Sequence, residues 1–157
     1  MYKKVLVPLD GSELAECSLP HVKNLAKDGS VGEVILLNVV TLVLPLGEIN
    51  LDDSAMGNTF DFPAFRNRHL EKAKKYLAGV QSRLSADGLK VKTVSTESGS
   101  PAHAIVDYAH KNGVDLIVIT THGYTGMKKM LFGSVSFRVL HESHVPVLLI
   151  RPESCRG

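Results

Sequence analysis

Short apolar runs recur along the chain, and turn residues bound each of them. Four strands are predicted from runs without polar alternation: residues 2–9, which include the run Val5-Leu6-Val7, and residues 33–40, 116–119 and 147–150. Runs of this length are typical of parallel strands that are covered on both faces. The segment at residues 89–96 alternates apolar and polar residues, which indicates a fifth strand nearer the edge of the sheet.

Segments with helical spacing separate these runs. The first spans residues 15–26, with Ser12 as an N-cap and Gly29 in the closing turn. We expect this segment to be one helix bent at Pro20 rather than two elements. Further helices are predicted at residues 66–86, 101–111 and 134–142. The second of these begins with the capping hydroxyl of Ser100, followed by Pro101 at the first helical position.

The alternation predicts one α/β domain over residues 1–157, with a doubly wound, five-stranded parallel sheet and helices on both faces. One segment, at about residues 41–65, fits no single period. A connection this long often forms a lid or a binding surface. We interpret it as a dynamic connection, and a short helix that covers the end of the sheet is the alternative.

Charge and composition narrow the classes of partner. The chain has 18 Lys and Arg residues against 16 Asp and Glu, a net charge of +2, and no long basic run, so we expect no nucleic-acid partner. It shows no signal-peptide pattern and no apolar run of membrane-spanning length, so we expect no membrane partner. The two cysteines do not imply a disulfide framework, which favours a reducing compartment and a cytoplasmic protein.

Glycines, hydroxyls and a helix start converge after the fourth strand. Gly123 and Gly133 can present unobstructed backbone N–H groups to a polyphosphate, and a helix that begins at Ser134 adds a dipole favourable to anions. Ser134 and Ser136 can donate hydroxyl hydrogen bonds. The alternative is that the glycines serve tight turns and that Ser134 only caps a helix.

Two further candidates follow strands one and four, where ligands bind in this class of fold. Leu9 and Asp10 follow the first strand, and the Asp10 carboxylate can bind a ribose or adenine edge, close a turn with Gly11, or do both. His122 follows the fourth strand, where its imidazole either meets the nucleotide, senses pH or holds the loop.

This combination of segments resembles the universal stress protein family, and in particular its ATP-binding branch. The motif of that branch is a glycine, two residues, a glycine, nine residues, then glycine followed by Ser or Thr. Gly123 and the pair Gly133-Ser134 match it, while Thr120 stands at the first glycine position. The opening strand, Gly99-Ser100-Pro101 and the final strand also look like the family's.

The resemblance implies a Rossmann-like, adenine nucleotide alpha hydrolase-like fold that binds ATP, with AMP or ADP as alternatives. Pro8, Asp10 and Val39 would then border the adenosine, and Ile119 and Thr120 the ribose. The phosphates would be surrounded by Gly123, Gly133, Ser134, Val135 and Ser136. Mg²⁺ would be held through the phosphate oxygens rather than by protein ligands. The resemblance also implies a homodimer through the final strand, Val147–Ile150, and a protein partner of unknown identity.

The sequence offers no catalytic set. It lacks the nucleotide-triphosphatase phosphate loop, the dinucleotide fingerprint and the nucleophile elbow. We therefore expect a nucleotide-responsive regulator of the stress response, with slow ATP hydrolysis at most. The alternatives are a slow ATPase or nucleotidyl-transfer enzyme, and a nucleotide-free interaction module, for which Thr120 is the motivating feature.

Overall fold

The computed structural model describes residues 1–44, 60–121 and 134–152. Its elements are the strands β1 (Tyr2–Pro8), β2 (Val31–Val40), β3 (Val91–Glu97), β4 (Leu116–Thr120) and β5 (Val147–Ile150), and the helices α1 (Leu19–Ala26), α2 (Phe62–Ala86), α3 (Pro101–Lys111) and α4 (Ser134–Glu142). The strands form one parallel sheet in the order β3-β2-β1-β4-β5. This confirms the predicted sheet, including β3 at an edge.

The central strand β1 is covered on both faces, as its apolar run predicts. Val5 and Val7 pack in a cluster with residues of α1 and α2, whereas Leu6 packs in a second cluster with residues of α3 and α4. All three side chains are fully buried. Because side chains alternate across a strand, helices cover both faces of the sheet.

The interpretation of residues 15–26 as one bent helix is wrong. The segment forms a 3-10 turn, Ala15–Ser18, and then the separate helix α1. Pro20 lies in the first turn of α1, where its missing N–H group has no intrahelical partner to lose. Cys17 in the 3-10 turn is buried and disulfide-bonded, which the cysteine count did not predict.

Helix α2 begins earlier than predicted, so the connection predicted at about residues 41–65 is shorter. Asp61 accepts a hydrogen bond from the Ala64 N–H group at 3.0 Å, so the helix begins at Phe62 rather than at Arg66. Residues 45–59 of that connection lie outside the described residues. The prediction that the Ser100 hydroxyl caps α3 is wrong, since this side chain makes no capping hydrogen bond within the described residues, whereas Pro101 begins the helix as predicted.

The strand order places a crevice at the carboxyl edge of the sheet. Residues of β1 pair with β2 on one side and with β4 on the other, so the connections that leave β1 and β4 diverge there.

No helix in the described part of the chain is long and apolar enough to cross a membrane.

Candidate functional site

A cavity of about 470 Å³ opens at the carboxyl ends of β1 and β4. It contains every predicted site residue that the structure describes. These lining residues are Pro8, Leu9, Asp10, Val39, Ile119, Thr120, Ser134, Val135 and Ser136. The other predicted residues, His122, Gly123 and Gly133, lie outside the described residues.

One wall of the cavity is apolar. Val39 at the end of β2 lies there with Pro101 and Ile105, which come from the first two turns of α3. An apolar wall of this kind suits a planar aromatic group, which gains free energy when its faces leave water. Sequence analysis identified Val39 but missed the α3 residues, although α3 also begins at the carboxyl edge and could have been included on that ground.

The turn after β1 holds the Asp10 carboxylate in place. Asp10 Oδ1 accepts hydrogen bonds from the Ser12 backbone N–H at 2.9 Å and from the Ser12 hydroxyl at 2.6 Å. Gly11 between them has φ +90°, a conformation that favours glycine. The turn interpretation of Asp10 is therefore confirmed, and its contact with a nucleoside stays a prediction.

Asn38 braces the same turn from β2. Its amide Nδ2 donates to the Leu9 carbonyl at 2.7 Å, and the Leu9 N–H group donates to the Leu37 carbonyl at 2.8 Å. Asn38 is buried, and a buried amide without a partner would destabilise the fold. Sequence analysis did not single out Asn38, although a polar side chain within a buried run was a usable signal.

The 3-10 turn closes the cavity over the ends of β1 and β4. Ala15 lines the cavity, and its carbonyl accepts hydrogen bonds from the Ser18 hydroxyl at 2.8 Å and from the Thr120 hydroxyl at 3.3 Å. Thr120 is only 2% exposed. Thr120, which stands at the first glycine position of the motif, is therefore hydrogen-bonded to the 3-10 turn.

The amino end of α4 forms the polar side of the cavity. Ser134 is exposed, Ser136 is buried, and both line the cavity. The described first turn of α4 contains no acidic residue. Backbone N–H groups in the first turn of a helix lack intrahelical partners, and they favour anions.

A half-buried network lies behind the 3-10 turn. Glu16 accepts hydrogen bonds from the Tyr76 hydroxyl at 3.0 Å and from Arg83 at 2.8 Å, which ties the turn to α2. Burial, then the Glu16 carboxylate and more weakly that of Asp10, raises the pKa of the Tyr76 phenol well above its usual range. The network therefore stabilises a neutral Tyr76 phenol next to the charged Glu16 carboxylate.

Ionisable groups are sparse in the cavity. Among the described residues that line it, Asp10 is the sole ionisable side chain. Within residues 1–44, 60–121 and 134–152, no group of three or more His, Cys, Asp or Glu side chains is arranged to hold a metal ion.

The model of the universal stress protein family matches residues 1–151. The chain belongs to the universal stress protein family. It is 35% identical to universal stress protein MJ0577 of Methanocaldococcus jannaschii, with 96% of each chain covered. It is 31% identical to universal stress protein YxiE of Bacillus subtilis, over 96% of this chain and 100% of that one.

Solved structures give the same assignment of the fold. The structure of MJ0577 has a TM-score of 0.75 at 34% identity, with 96% of both chains covered. A universal stress protein from Archaeoglobus fulgidus, solved in complex with dAMP, has a TM-score of 0.61 at 23% identity and covers 95% of this chain and 98% of that one. The predicted Rossmann-like fold is thus confirmed.

Proposed function

We propose that this universal stress protein binds an adenine nucleotide, ATP in the first place, at the carboxyl-edge cavity and acts as a nucleotide-responsive regulator in the stress response. One observation carries the proposal. The cavity joins an apolar wall, the oriented Asp10 carboxylate and the amino end of α4 in a single space of about 470 Å³. These are the surfaces that a base, a sugar and a phosphate require.

Each part of the nucleotide has a matching surface. The adenine would pack on the wall formed by Val39, Pro101 and Ile105, and the phosphates would lie at the N–H groups of α4. Mg²⁺ would be held through the phosphate oxygens, where it supplies charge neutralisation. AMP and ADP fit the same surfaces with fewer phosphates.

The chemistry of the cavity favours binding over turnover. General acid–base catalysis needs a group that takes the proton and a second group that polarises the bond being broken. Asp10 is the sole ionisable side chain among the described lining residues, and the Ser12 bonds keep its carboxylate within the turn. The proposal is accordingly a regulator that reads nucleotide occupancy.

The test is calorimetric titration with ATP, AMP and adenosine, using Ser134→Asp and the uncharged, nearly isosteric Ser134→Asn. Ser134 is exposed at the start of α4, where an added carboxylate is favourable to the helix but repels a phosphate. We expect Ser134→Asp to lower ATP affinity by roughly 5- to 20-fold and adenosine affinity by less than about twofold. Ser134→Asn adds no charge and keeps a hydrogen-bond donor, so its ATP affinity should stay well above that of Ser134→Asp.

Two results would contradict the proposal. If none of the three ligands gives heat or a shift in melting temperature, the nucleotide-free interaction module is the better function. If Ser134→Asp weakens ATP and adenosine equally, the phosphates do not lie at the start of α4.

The proposal includes a homodimer through β5, which is an edge of the sheet. Leu148 on this strand is 36% exposed, and Phe137 and Leu140 on the preceding helix are 52% and 43% exposed. An exposed apolar edge strand favours pairing with a second copy. Sedimentation equilibrium should show a dimer, and Leu148→Lys should shift it towards monomer while ATP affinity is unchanged. A monomeric original protein at micromolar concentration would refute this part.

A further inference from the structure

Helix α2 concentrates the positive charge of the chain. It carries six of the 18 Lys and Arg residues but only one of the 16 Asp and Glu residues, so the rest of the chain is net negative. The buried side of the helix, with Leu77, Val80 and Leu84, packs against the sheet. The charged side chains of α2 therefore lie on the sides that face away from the core.

Half of these cations have no carboxylate partner. Three ion pairs use the other half, and they join Arg66 to Glu97, Lys74 to Glu71 and Arg83 to Glu16. Arg68, Lys72 and Lys75 are exposed, and their charged groups have no hydrogen-bond or ion-pair partner within the part of the chain that the structure describes. These three residues form the α2 stripe.

The α2 stripe lies on one face of the helix. Its residues follow one another at i, i+4 and i+7, which aligns their side chains over about 10 Å of helix. Like charges at these spacings repel and destabilise a helix. The approach of carboxylates relieves this repulsion, so the stripe is complementary to a row of negative charges.

The outer face of α2 favours a protein partner over a bilayer. Beyond the stripe this face continues with Gly79 and Ser82, so it offers no large apolar side chain between residues 68 and 82. A helix that binds a bilayer inserts apolar side chains, and α2 buries its own against the sheet. A partner helix with carboxylates at the same spacing can lie alongside α2 and pair with all three cations.

The stripe is separate from the other proposed contacts of the protein. Gln81 of α2 donates to the Val91 carbonyl of β3 at 2.8 Å, so the helix lies near the β3 edge of the sheet. The proposed dimer uses β5 at the opposite edge. The described residues that line the carboxyl-edge cavity include none from α2. A partner at the stripe therefore competes neither with a second copy nor with a nucleotide.

We propose that the α2 stripe is a docking surface for an acidic helix of a partner protein, with carboxylates at i, i+4 and i+7. The inference goes beyond nucleotide binding and does not depend on it. It gives the protein partner that the family resemblance implies both a location and a chemistry. Because the attraction is between exposed charges, it weakens as the salt concentration rises.

The experiment is an NMR titration of the ¹⁵N-labelled full chain with capped, alanine-rich helical peptides of about 20 residues. The spaced peptide carries three glutamates at i, i+4 and i+7. The control peptide has the same composition, with the glutamates distributed around the helix. We expect the spaced peptide to shift the amide signals of α2 and to bind at least about 3-fold more tightly than the control. Raising the salt from about 20 mM to about 300 mM should remove most of the shift.

The variant Lys72→Glu separates docking from folding. Its carboxylate lies four residues after Arg68 and three before Lys75, so attraction replaces repulsion within the helix and the melting temperature should not fall. The affinity for the spaced peptide should fall by about 3- to 10-fold, because the new charge repels the glutamates. Lys72→Arg keeps the charge and should keep the affinity.

Lys92→Glu is the matched control for net charge. Val91 packs in the cluster that contains α2 residues, so the next residue of β3, Lys92, points to the other face of the sheet. Lys92 is exposed, and its replacement changes the net charge as much as Lys72→Glu does. It should lower the affinity for the spaced peptide by less than about twofold.

Three results would overturn the proposal. If the two peptides bind equally, or neither shifts the α2 signals, the spacing of the stripe does not select a partner. If Lys92→Glu weakens binding as much as Lys72→Glu, only net charge attracts the peptide. If the protein co-sediments with phosphatidylserine vesicles but does not bind the spaced peptide, and Lys72→Glu abolishes that co-sedimentation, the stripe binds a membrane surface instead.

Discussion

Two cavities lie at opposite edges of the sheet, and they differ in which helix ends surround them. The carboxyl-edge cavity, of about 470 Å³, receives the amino ends of α3 and α4. The amino-edge cavity, of about 680 Å³, lies where α1 and α2 end and is lined by Lys23, Lys27, Asp87 and Lys90 among others. In a parallel α/β sheet every helix that follows a strand begins at the carboxyl edge, so helix N–H groups collect at one edge and helix carbonyls at the other.

Two of the three lysines that line the amino-edge cavity have carboxylate partners. Lys23 pairs with Asp87 at 2.5 Å and Lys90 with Glu33 at 3.5 Å. Cations near the last turn of a helix also interact favourably with its carbonyl end. The amino-edge cavity is therefore the less suitable site for an anionic ligand, although it is the larger of the two. Helix amino ends and an apolar wall favour nucleotide binding more than volume does.

The largest expected effect contrasts the two ends of β2. Val39 lines the carboxyl-edge cavity, Val31 lines the amino-edge cavity, and both are half-buried. We expect Val39→Glu to lower the affinity for adenosine and ATP by about 100-fold, because a charged group replaces the apolar wall under the base. Val31→Glu should change either affinity by less than about twofold. Calorimetric titration measures both, and a strong loss from Val31→Glu alone would reverse the assignment of the cavities.

A smaller effect is expected when a glycine is replaced by alanine at each edge of the sheet. A Cβ atom at Gly32, at the amino edge, would lie 2.8 Å from the Lys3 carbonyl oxygen, whereas at Gly99, at the carboxyl edge, it would meet no described atom within 4 Å. We expect Gly32→Ala to lower the free energy of unfolding by about 1–3 kcal/mol, and Gly99→Ala by less than about 0.5 kcal/mol. Urea denaturation measures both values. Equal losses would mean that the close approach at Gly32 relaxes without cost.

The smallest effect concerns ionisation in the network of Glu16, Tyr76 and Arg83. Burial and the Glu16 carboxylate raise the pKa of Tyr76, so the folded protein keeps the phenol protonated at a pH where the unfolded chain releases it. This contribution to stability is complete below about pH 10 and declines above it. Between pH 10 and pH 11, we expect the free energy of unfolding of the original protein to fall by roughly 0.5–1 kcal/mol more than that of Tyr76→Phe. This value allows for the partial solvent exposure of Tyr76.

Urea denaturation at several values of pH tests this difference. Tyr108, whose pKa is also raised by burial and by Glu33, is present in both proteins and cancels. The control is Asp87→Asn, which breaks the exposed ion pair between Lys23 and Asp87 at the amino edge. It should lower the free energy of unfolding by less than about 0.5 kcal/mol below pH 10. Parallel pH profiles for the original protein and Tyr76→Phe would show that the phenol ionises alike in the folded and unfolded chains.

Local sequence patterns were sufficient to predict the bounds of an element where they showed which residue begins or ends it. The bounds of α3, α4 and β5 are the predicted ones, because Pro101 and the ends of the apolar runs mark them directly. Pro20 and Pro63, which lie in the first turns of α1 and α2, were less informative. A proline bends the interior of a helix but is well tolerated in its first turn, and the local pattern did not show which turn each would occupy.

The sequence by itself determined the alternation of strands and helices, the burial of β1 and the family, because periodicity and motif spacing are local properties of the chain. Only the tertiary structure decided which groups meet at the site. Asn38 reaches the Leu9 carbonyl across 29 positions and Thr120 reaches the Ala15 carbonyl across 105 positions. Such pairs depend on strand order and on the packing of the 3-10 turn against β4, and no local pattern encodes the partner of a buried polar group.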